Sequence, residues 1–402
     1  MSDENLAGPE TNGAVSVIER AVCLWITDSR PDDGNSVLRS VGAELLTSKG
    51  DFRQSNQDLV AFVRIPEQRS VRAPLCAAIV ADGMGGMVDG DGASALAVSA
   101  FIAFLTAGDV SGGMKKLLVG AMDHANLRVH RKYGGSGGTT LAAVLYGKQG
   151  TTAIHVGDSR IYGMQATTTV RLTVDDTLAE QLRYAKGSNA APDVPNERDN
   201  RLVQFVGIGP NLESHVVDLT GRDAEEPFDH FLLSTDGAHY IGDELLTQIR
   251  HAGLDTKSLG PQLVALSRAC GSTDNASLVV APSRVAMDFD SGKKAQLLVD
   301  MPGCSLCINV ADSSDLVDRK QGADGRQVQK VEVAALDNST PTTEDGAGRP
   351  PARVEKAKER KRKTPTGKKA SNEDQVSLGF VEDEDTKAAS KQRGKMDGEG
   401  EN

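Results

Sequence analysis

Val80-Ala81-Asp82-Gly83-Met84-Gly85-Gly86 closes an apolar run on a carboxylate and follows it at once with glycines. The run from Ala77 to Ala81 has the length and composition of a buried strand. An acid at its end sits on the floor of a site, and glycine lets the backbone approach a ligand closely. The arrangement recurs along the chain. Ala153-Ile154-His155-Val156-Gly157 ends at Asp158, and Phe231-Leu232-Leu233-Ser234-Thr235 ends at Asp236, followed by Gly237. Ser277-Leu278-Val279-Val280 begins just after Asp274-Asn275. One Asp-Gly after a strand is ordinarily a turn. Four such ends predict a common rim of carboxylates.

The chain has 402 residues, 7 histidines, 5 cysteines and a net charge of -11. That charge argues against a protein coated in basic residues for binding duplex nucleic acid. An odd cysteine number with no paired framework fits a reducing compartment, and the polar N-terminus lacks the pattern of a signal peptide. No apolar run is read as a membrane span. The expectation is a cytoplasmic protein with no membrane partner.

Composition divides the chain. Residues 1–39 read as a partly ordered N-terminal extension, in which residues 22–26, including Trp25, predict an extra strand. Residues 40–284 read as the main folded domain, 285–320 as a linker or partner-binding segment, and 321–402 as a disordered charged tail. Within 285–320, residues 296–299 and 306–310 are either short strands or part of a partner-binding segment. The tail carries a basic block at residues 353–369 and an acidic block at Glu382-Asp383-Glu384-Asp385. Opposite blocks side by side read as a solvated tail with at most weak nucleic-acid binding.

Helical spacing predicts helices at residues 92–108, 114–133, 243–253 and 256–270. Strands are predicted at residues 75–81, 141–146, 152–156, 160–164, 216–219, 231–234 and 277–281. Gly157-Asp158-Ser159-Arg160 reads as a hairpin turn between two of them. Helices come in groups rather than alternating with strands, which predicts a layered α+β fold. Gly134-Gly135-Ser136-Gly137-Gly138 lacks the ending of a nucleotide-phosphate loop and reads as a turn. Cys304-Ser305-Leu306-Cys307 reads as two linker thiols, and His155 as a packed core residue.

Asp is a hard oxygen ligand, and a set of Asp without His or Cys points to Mg²⁺ or Mn²⁺ rather than zinc. Two such ions sharing a carboxylate activate a water and clamp phosphoryl oxygens. Phosphoester hydrolysis without a covalent intermediate is the chemistry to expect.

Seven motifs in order resemble those of the metal-dependent protein phosphatases (type 2C, PPM). They are Gly50-Asp51-Phe52-Arg53-Gln54-Ser55-Asn56-Gln57-Asp58, Ala81-Asp82-Gly83-Met84-Gly85-Gly86, Gly138-Thr139-Thr140, Gly157-Asp158-Ser159-Arg160, Leu172-Thr173-Val174-Asp175, Ser234-Thr235-Asp236-Gly237 and Asp274-Asn275. Their dialect is similar to bacterial serine/threonine phosphatases. The resemblance implies a four-layer α-β-β-α sandwich of two antiparallel sheets flanked by helices. It implies hydrolysis of phosphoserine and phosphothreonine by a metal-activated water at a dinuclear Mn²⁺ or Mg²⁺ centre. Asp82 would bridge the two ions, with the Gly83 carbonyl on one and Asp236 and Asp274 on the other. Asp158 would help hold a third, weaker ion. Arg53 would grip the substrate phosphate, and Asp58 would orient water near the metals. Partners would be phosphoprotein substrates of a cognate serine/threonine kinase, met by a monomeric catalytic domain in signal transduction. Residues 178–200 correspond to a variable flap beside the cleft. The alternative is a catalytically weak phosphoprotein-binding scaffold with a charged interaction tail. The chain departs from relatives at Met84 and Met87, where histidine can stand, and at Asp176, where Asp-His-Ser becomes Asp175-Asp176-Thr177. The general acid is therefore unassigned.

Overall fold

The computed structural model describes residues 13–67, 74–108, 112–186, 200–219, 228–252, 256–287, 296–309, 320–321 and 327–332. All belong to one compact unit, Met1–Ser339. The tail read as disordered from residue 321 is described only at residues 321 and 327–332, which lie in two short strands instead. The rest of it, and the loop around Pro192-Asp193-Val194-Pro195, fall outside the described residues.

Among the described residues six helices and fifteen strands follow in order: α1 (Gly13–Ser29), β1 (Asp33–Leu38), β2 (Ala43–Ser48), β3 (Asp58–Ile65), β4 (Leu75–Asp82), α2 (Gly90–Ala107), α3 (Met114–Tyr133), β5 (Leu141–Gly147), β6 (Gly150–Val156), β7 (Arg160–Met164), β8 (Thr169–Arg171), α4 (Leu178–Lys186), β9 (His215–Asp218), β10 (His230–Ser234), α5 (Gly242–His251), α6 (Thr256–Ala269), β11 (Ala276–Pro282), β12 (Gln296–Met301), β13 (Cys304–Asn309), β14 (Lys320–Gln321) and β15 (Gln327–Glu332). One sheet runs β1-β2-β11-β10-β7-β8, and the other β14-β15-β13-β12-β3-β4-β5-β6-β9. Pairing is antiparallel except for β13 with β15.

The apolar runs are continuous because their strands are buried on both faces. Along β4, Cys76, Ala78 and Val80 face a core between the sheets. Leu75, Ala77, Ile79 and Ala81 face a second core shared with α1, α2 and α3. β10 and β11 divide likewise: Leu233 and Val279 lie between the sheets, and Leu232 and Leu278 face α5 and α6. Three cores separate four layers, as the expected α-β-β-α sandwich requires.

Two further sequence expectations are corrected, and an open alternative is decided. Residues 22–26 lie in a helix, not a strand. Val15, Ile18, Val22, Trp25 and Ile26 of α1 recur at helical spacing and enter the α-side core. A five-residue apolar window is too short to distinguish period 2 from period 3.6. The Gly157–Arg160 tetrad is not a hairpin turn, because β6 belongs to the nine-stranded sheet and β7 to the six-stranded one. Strand patterns give no information about which sheet a strand joins. Within 285–320 the strand alternative forms: β12 and β13 pair with each other, and β12 pairs with β3. Finally, α2 is long and apolar enough to cross a membrane, with mean hydropathy 1.5, but 78% of it is buried inside the protein. It is a core helix.

Candidate functional site

The strand ends converge at one end of the sandwich. Asp58 and Asp82 are register partners across β3 and β4. Asp158 follows β6, Asp236 follows β10, and Asp274 precedes β11. Arg53, Gln57, Asp82, Gly83, Met84, Met87, Thr140, Asp158, Asp236 and Asp274 line a cleft of about 420 Å³. The sequence-assigned residues are thus brought together, with Asp58 buried just behind the floor.

The glycines after two of these acids serve close packing. A Cβ on Gly83 would collide with the Gly90 carbonyl, and one on Gly237 with the Asn275 carbonyl. Only glycine lets those backbones touch. Asp82 is fixed by the Gly-Thr-Thr segment. Its N–H donates to Thr140 Oγ1 (2.9 Å), and its carbonyl accepts from Thr139 Oγ1 (2.8 Å). Thr140 Oγ1 also bonds Ser159 Oγ (2.7 Å), beside Asp158. Asn275 Oδ1 accepts from the Gln57 N–H (2.9 Å), and Asn275 Nδ2 donates to the Lys49 carbonyl (2.8 Å). That ties the Arg53–Asp58 loop to the start of β11. Thr235 Oγ1 donates to Asp58 Oδ2 (2.8 Å).

The electrostatics are those of crowded, buried acids. Burial first, then neighbouring carboxylates, push Asp58 up to about 7. Burial and Asp236 push Asp158 up to about 7. Burial and Asp274 push Asp236 up to about 6, and burial with Asp58 raises Asp82 well above the carboxylate range. Asp58 Oδ1 and Asp236 Oδ1 are buried without a hydrogen-bond partner. Half-exposed Arg53 pairs with Asp274 at the rim. Buried carboxylates in this condition gain from a bound cation. Among the described residues the cleft lining offers oxygen donors and no His or Cys, which fits hard divalent ions such as Mg²⁺ or Mn²⁺. No three acidic, imidazole or thiol groups among the described residues close into a tight cluster.

Several site residues had no role in the sequence reading. Thr140 lay inside a recognised motif, but its two hydrogen bonds, with Asp82 and Ser159, are tertiary contacts. Asn200, Arg201, Leu202 and Phe205 complete the cleft wall. Asn200 ends the segment read as the flap; the other three follow it without periodicity, so no sequence signal marks them. Asp175 is an ion-pair partner rather than a cleft group: it accepts from Arg160 Nη2 (2.7 Å) and pairs with Arg171.

Comparison with known proteins agrees with this geometry. The family model described as protein phosphatase 2C matches residues 50–275. The serine/threonine protein phosphatase PstP of Mycobacterium tuberculosis is 29% identical over 243 residues, 59% of this chain and 45% of that protein. The chain thus spans just under half of that relative's length. The serine/threonine phosphatase stp of Listeria welshimeri is 31% identical over 180 residues, 42% of this chain and 69% of that protein. The crystal structure of the serine/threonine phosphatase Stp1 from Staphylococcus aureus superposes with a TM-score of 0.52 at 20% identity. It covers 60% of this chain and 94% of that one, a likeness of fold.

Proposed function

The chain belongs to the protein phosphatase 2C family, and from that premise we propose that it hydrolyses phosphoserine and phosphothreonine in proteins with the help of divalent cations. The observation that carries the reading is the convergence of Asp82, Asp158, Asp236 and Asp274 in one cleft with Arg53 at its rim. Asp82, the Gly83 carbonyl, Asp236 and Asp274 would hold two ions, Mn²⁺ or Mg²⁺, and Asp158 a weaker third. When bound, such ions neutralise phosphoryl charge and lower the pKa of water to the neutral range.

The chain's own residues do the rest. Arg53 presents a permanently charged planar fork suited to two phosphate oxygens. Its pairing with Asp274 keeps the guanidinium at the rim. Thr139 and Thr140 hold the Asp82 backbone so that its carboxylate keeps one direction. Met84, Met87, Leu202 and Phe205 give the cleft an apolar lip that limits water around the phosphoryl group. Among the described residues no histidine lines the cleft, so a lining imidazole is not the proton donor to the departing seryl oxygen. Substrates would be phosphoproteins made by a serine/threonine kinase.

The test is hydrolysis of a phosphothreonine peptide by the full chain with Mn²⁺ or with a chelator. Turnover should require the metal and fall at least about 100-fold in Asp236→Asn. Tight phosphopeptide binding without turnover would instead favour the scaffold reading.

A further inference from the structure

Asp176 stands where four segments meet. Its N–H donates to the Gly157 carbonyl (3.1 Å), and its Oδ2 accepts from the Gly157 N–H (2.9 Å). Both bonds grip the residue directly before Asp158. The Asp176 carbonyl accepts from the Val203 N–H (2.8 Å), and the Leu178 N–H donates to the Arg201 carbonyl (3.0 Å). A bridge between Thr177 and Leu202 completes this clasp. Asp176 Oδ1 is 2.9 Å from His215 Nε2 at the start of β9. The His215 ring stacks on that of His155, its register partner in β6, with centroids 5.0 Å apart. Asp176 is buried, and His215 is about half exposed.

One carboxylate therefore joins the Asp158 turn to the cleft wall that carries Arg201 and Leu202. Gly157 lies at φ +97°, which glycine adopts readily and a residue with a side chain would not. A carboxylate accepting a buried N–H is a strong, charge-assisted partner. Its removal leaves that N–H unsatisfied. We propose that Asp176, oriented by His215, is a positioning residue that fixes the Asp158 carboxylate and the cleft wall at residues 200–205 as one unit. The proposal rests on the reading of Asp158 as a cation ligand. Groups that orient metal ligands typically contribute roughly 10–100-fold in metal affinity or activity.

The experiment compares the full chain with its Asp176→Ala, Asp176→Asn and His215→Ala variants. Mn²⁺ binding is followed by titration calorimetry without substrate, and phosphopeptide turnover by steady-state kinetics. In Asp176→Ala the weakest Mn²⁺ step should loosen roughly 10–100-fold, the tighter steps should hold, and KM for the phosphopeptide should rise. Asp176→Asn keeps an acceptor for the Gly157 N–H and should recover most of both. An unchanged weakest step in a folded Asp176→Ala variant overturns the proposal, and so does equal weakening of every step, which marks general loosening. If Asp176→Ala does not fold, His215→Ala decides: selective weakening of the same step supports the proposal, and unchanged binding overturns it. Wild-type protein that binds Mn²⁺ but turns over no phosphopeptide refutes the phosphatase reading, while the calorimetric comparison still decides the positioning role. Wild-type protein that binds no Mn²⁺ overturns both.

Discussion

At the residue scale, Thr140 shows how the site is held. Its hydroxyl accepts the Asp82 N–H and bonds Ser159, so one buried oxygen fixes the backbones beside two acids. Valine has nearly the same shape but no hydroxyl, so Thr140→Val leaves the Asp82 N–H buried without a partner. A buried orphan donor costs about 1–3 kcal/mol. Chemical denaturation of Thr140→Val should show a loss of that size, and Mn²⁺-dependent turnover should fall roughly tenfold or more, since small misplacements of reacting groups are costly. Wild-type values for both would remove Thr140 from the site's support. The repeated Asp and the Asp-Gly pairs were legible in the chain itself. The Thr140 clamp was not, because its partners are 58 and 19 positions away.

At the scale of elements, α1 is part of the sandwich domain rather than an appendage. It packs on α2 in the same core as Leu297 and Val299 of β12 and Leu306 of β13. Buried Glu19 of α1 receives Arg128 Nε of α3 (2.7 Å). Just beyond the helix, Arg30 donates to the Asp91 carbonyl (2.9 Å) and Ser94 Oγ (3.0 Å). Ser94 in turn donates to the Gln57 carbonyl (2.8 Å) in the Arg53–Asp58 loop. Trp25→Ala should therefore destabilise the whole domain by about 3–5 kcal/mol, the usual cost of emptying a large aromatic site. Fluorescence-independent unfolding curves, such as far-UV circular dichroism in urea, should show one shifted transition. A separate early transition would mean that α1 folds apart from the sandwich. Cys304 and Cys307 sit three apart on β13, so they face opposite sides of the sheet. Paired redox chemistry between them is thereby disfavoured, and both thiols belong to the sheet rather than to the linker the sequence suggested.

At the scale of the whole molecule, opposing titrations set how stability follows pH. Asp58 and Asp158 are raised to about 7 and Asp236 to about 6, against ~3.9 in an unfolded chain. Groups raised on folding contribute stability that is full below pH ~4 and lost as pH climbs through 6–7. His155 runs the other way: burial depresses it to about 4, against ~6.5 unfolded. Its contribution is present above pH ~6.5 and lost as pH falls toward 4. His239 is depressed as well, and Asp82 is raised. The raised carboxylates outnumber the depressed histidines, so the carboxylates decide the sign. Metal-free protein should melt at lower temperature at pH 7.5 than at pH 5.5, and added Mn²⁺ should raise the melting temperature more at pH 7.5. Thermal melts at both values, with chelator and with Mn²⁺, check this. A higher metal-free melting temperature at pH 7.5 would mean that the acids are already paired in the folded state.

The sequence by itself determined the kind of strand, the acids at the strand ends and the order of motifs that places the chain in its family. These are local properties: an apolar run, a carboxylate and a glycine declare themselves within a few residues. The tertiary structure alone decided that β6 and β7 part into different sheets at Asp158, that residues 13–29 are helical, and that β12 and β13 complete the sheet. It also decided that Asp176 and residues 201–203 clasp the Asp158 turn. Each of these depends on which distant surfaces are buried together, and pairing across tens or hundreds of residues leaves no periodic trace in the chain.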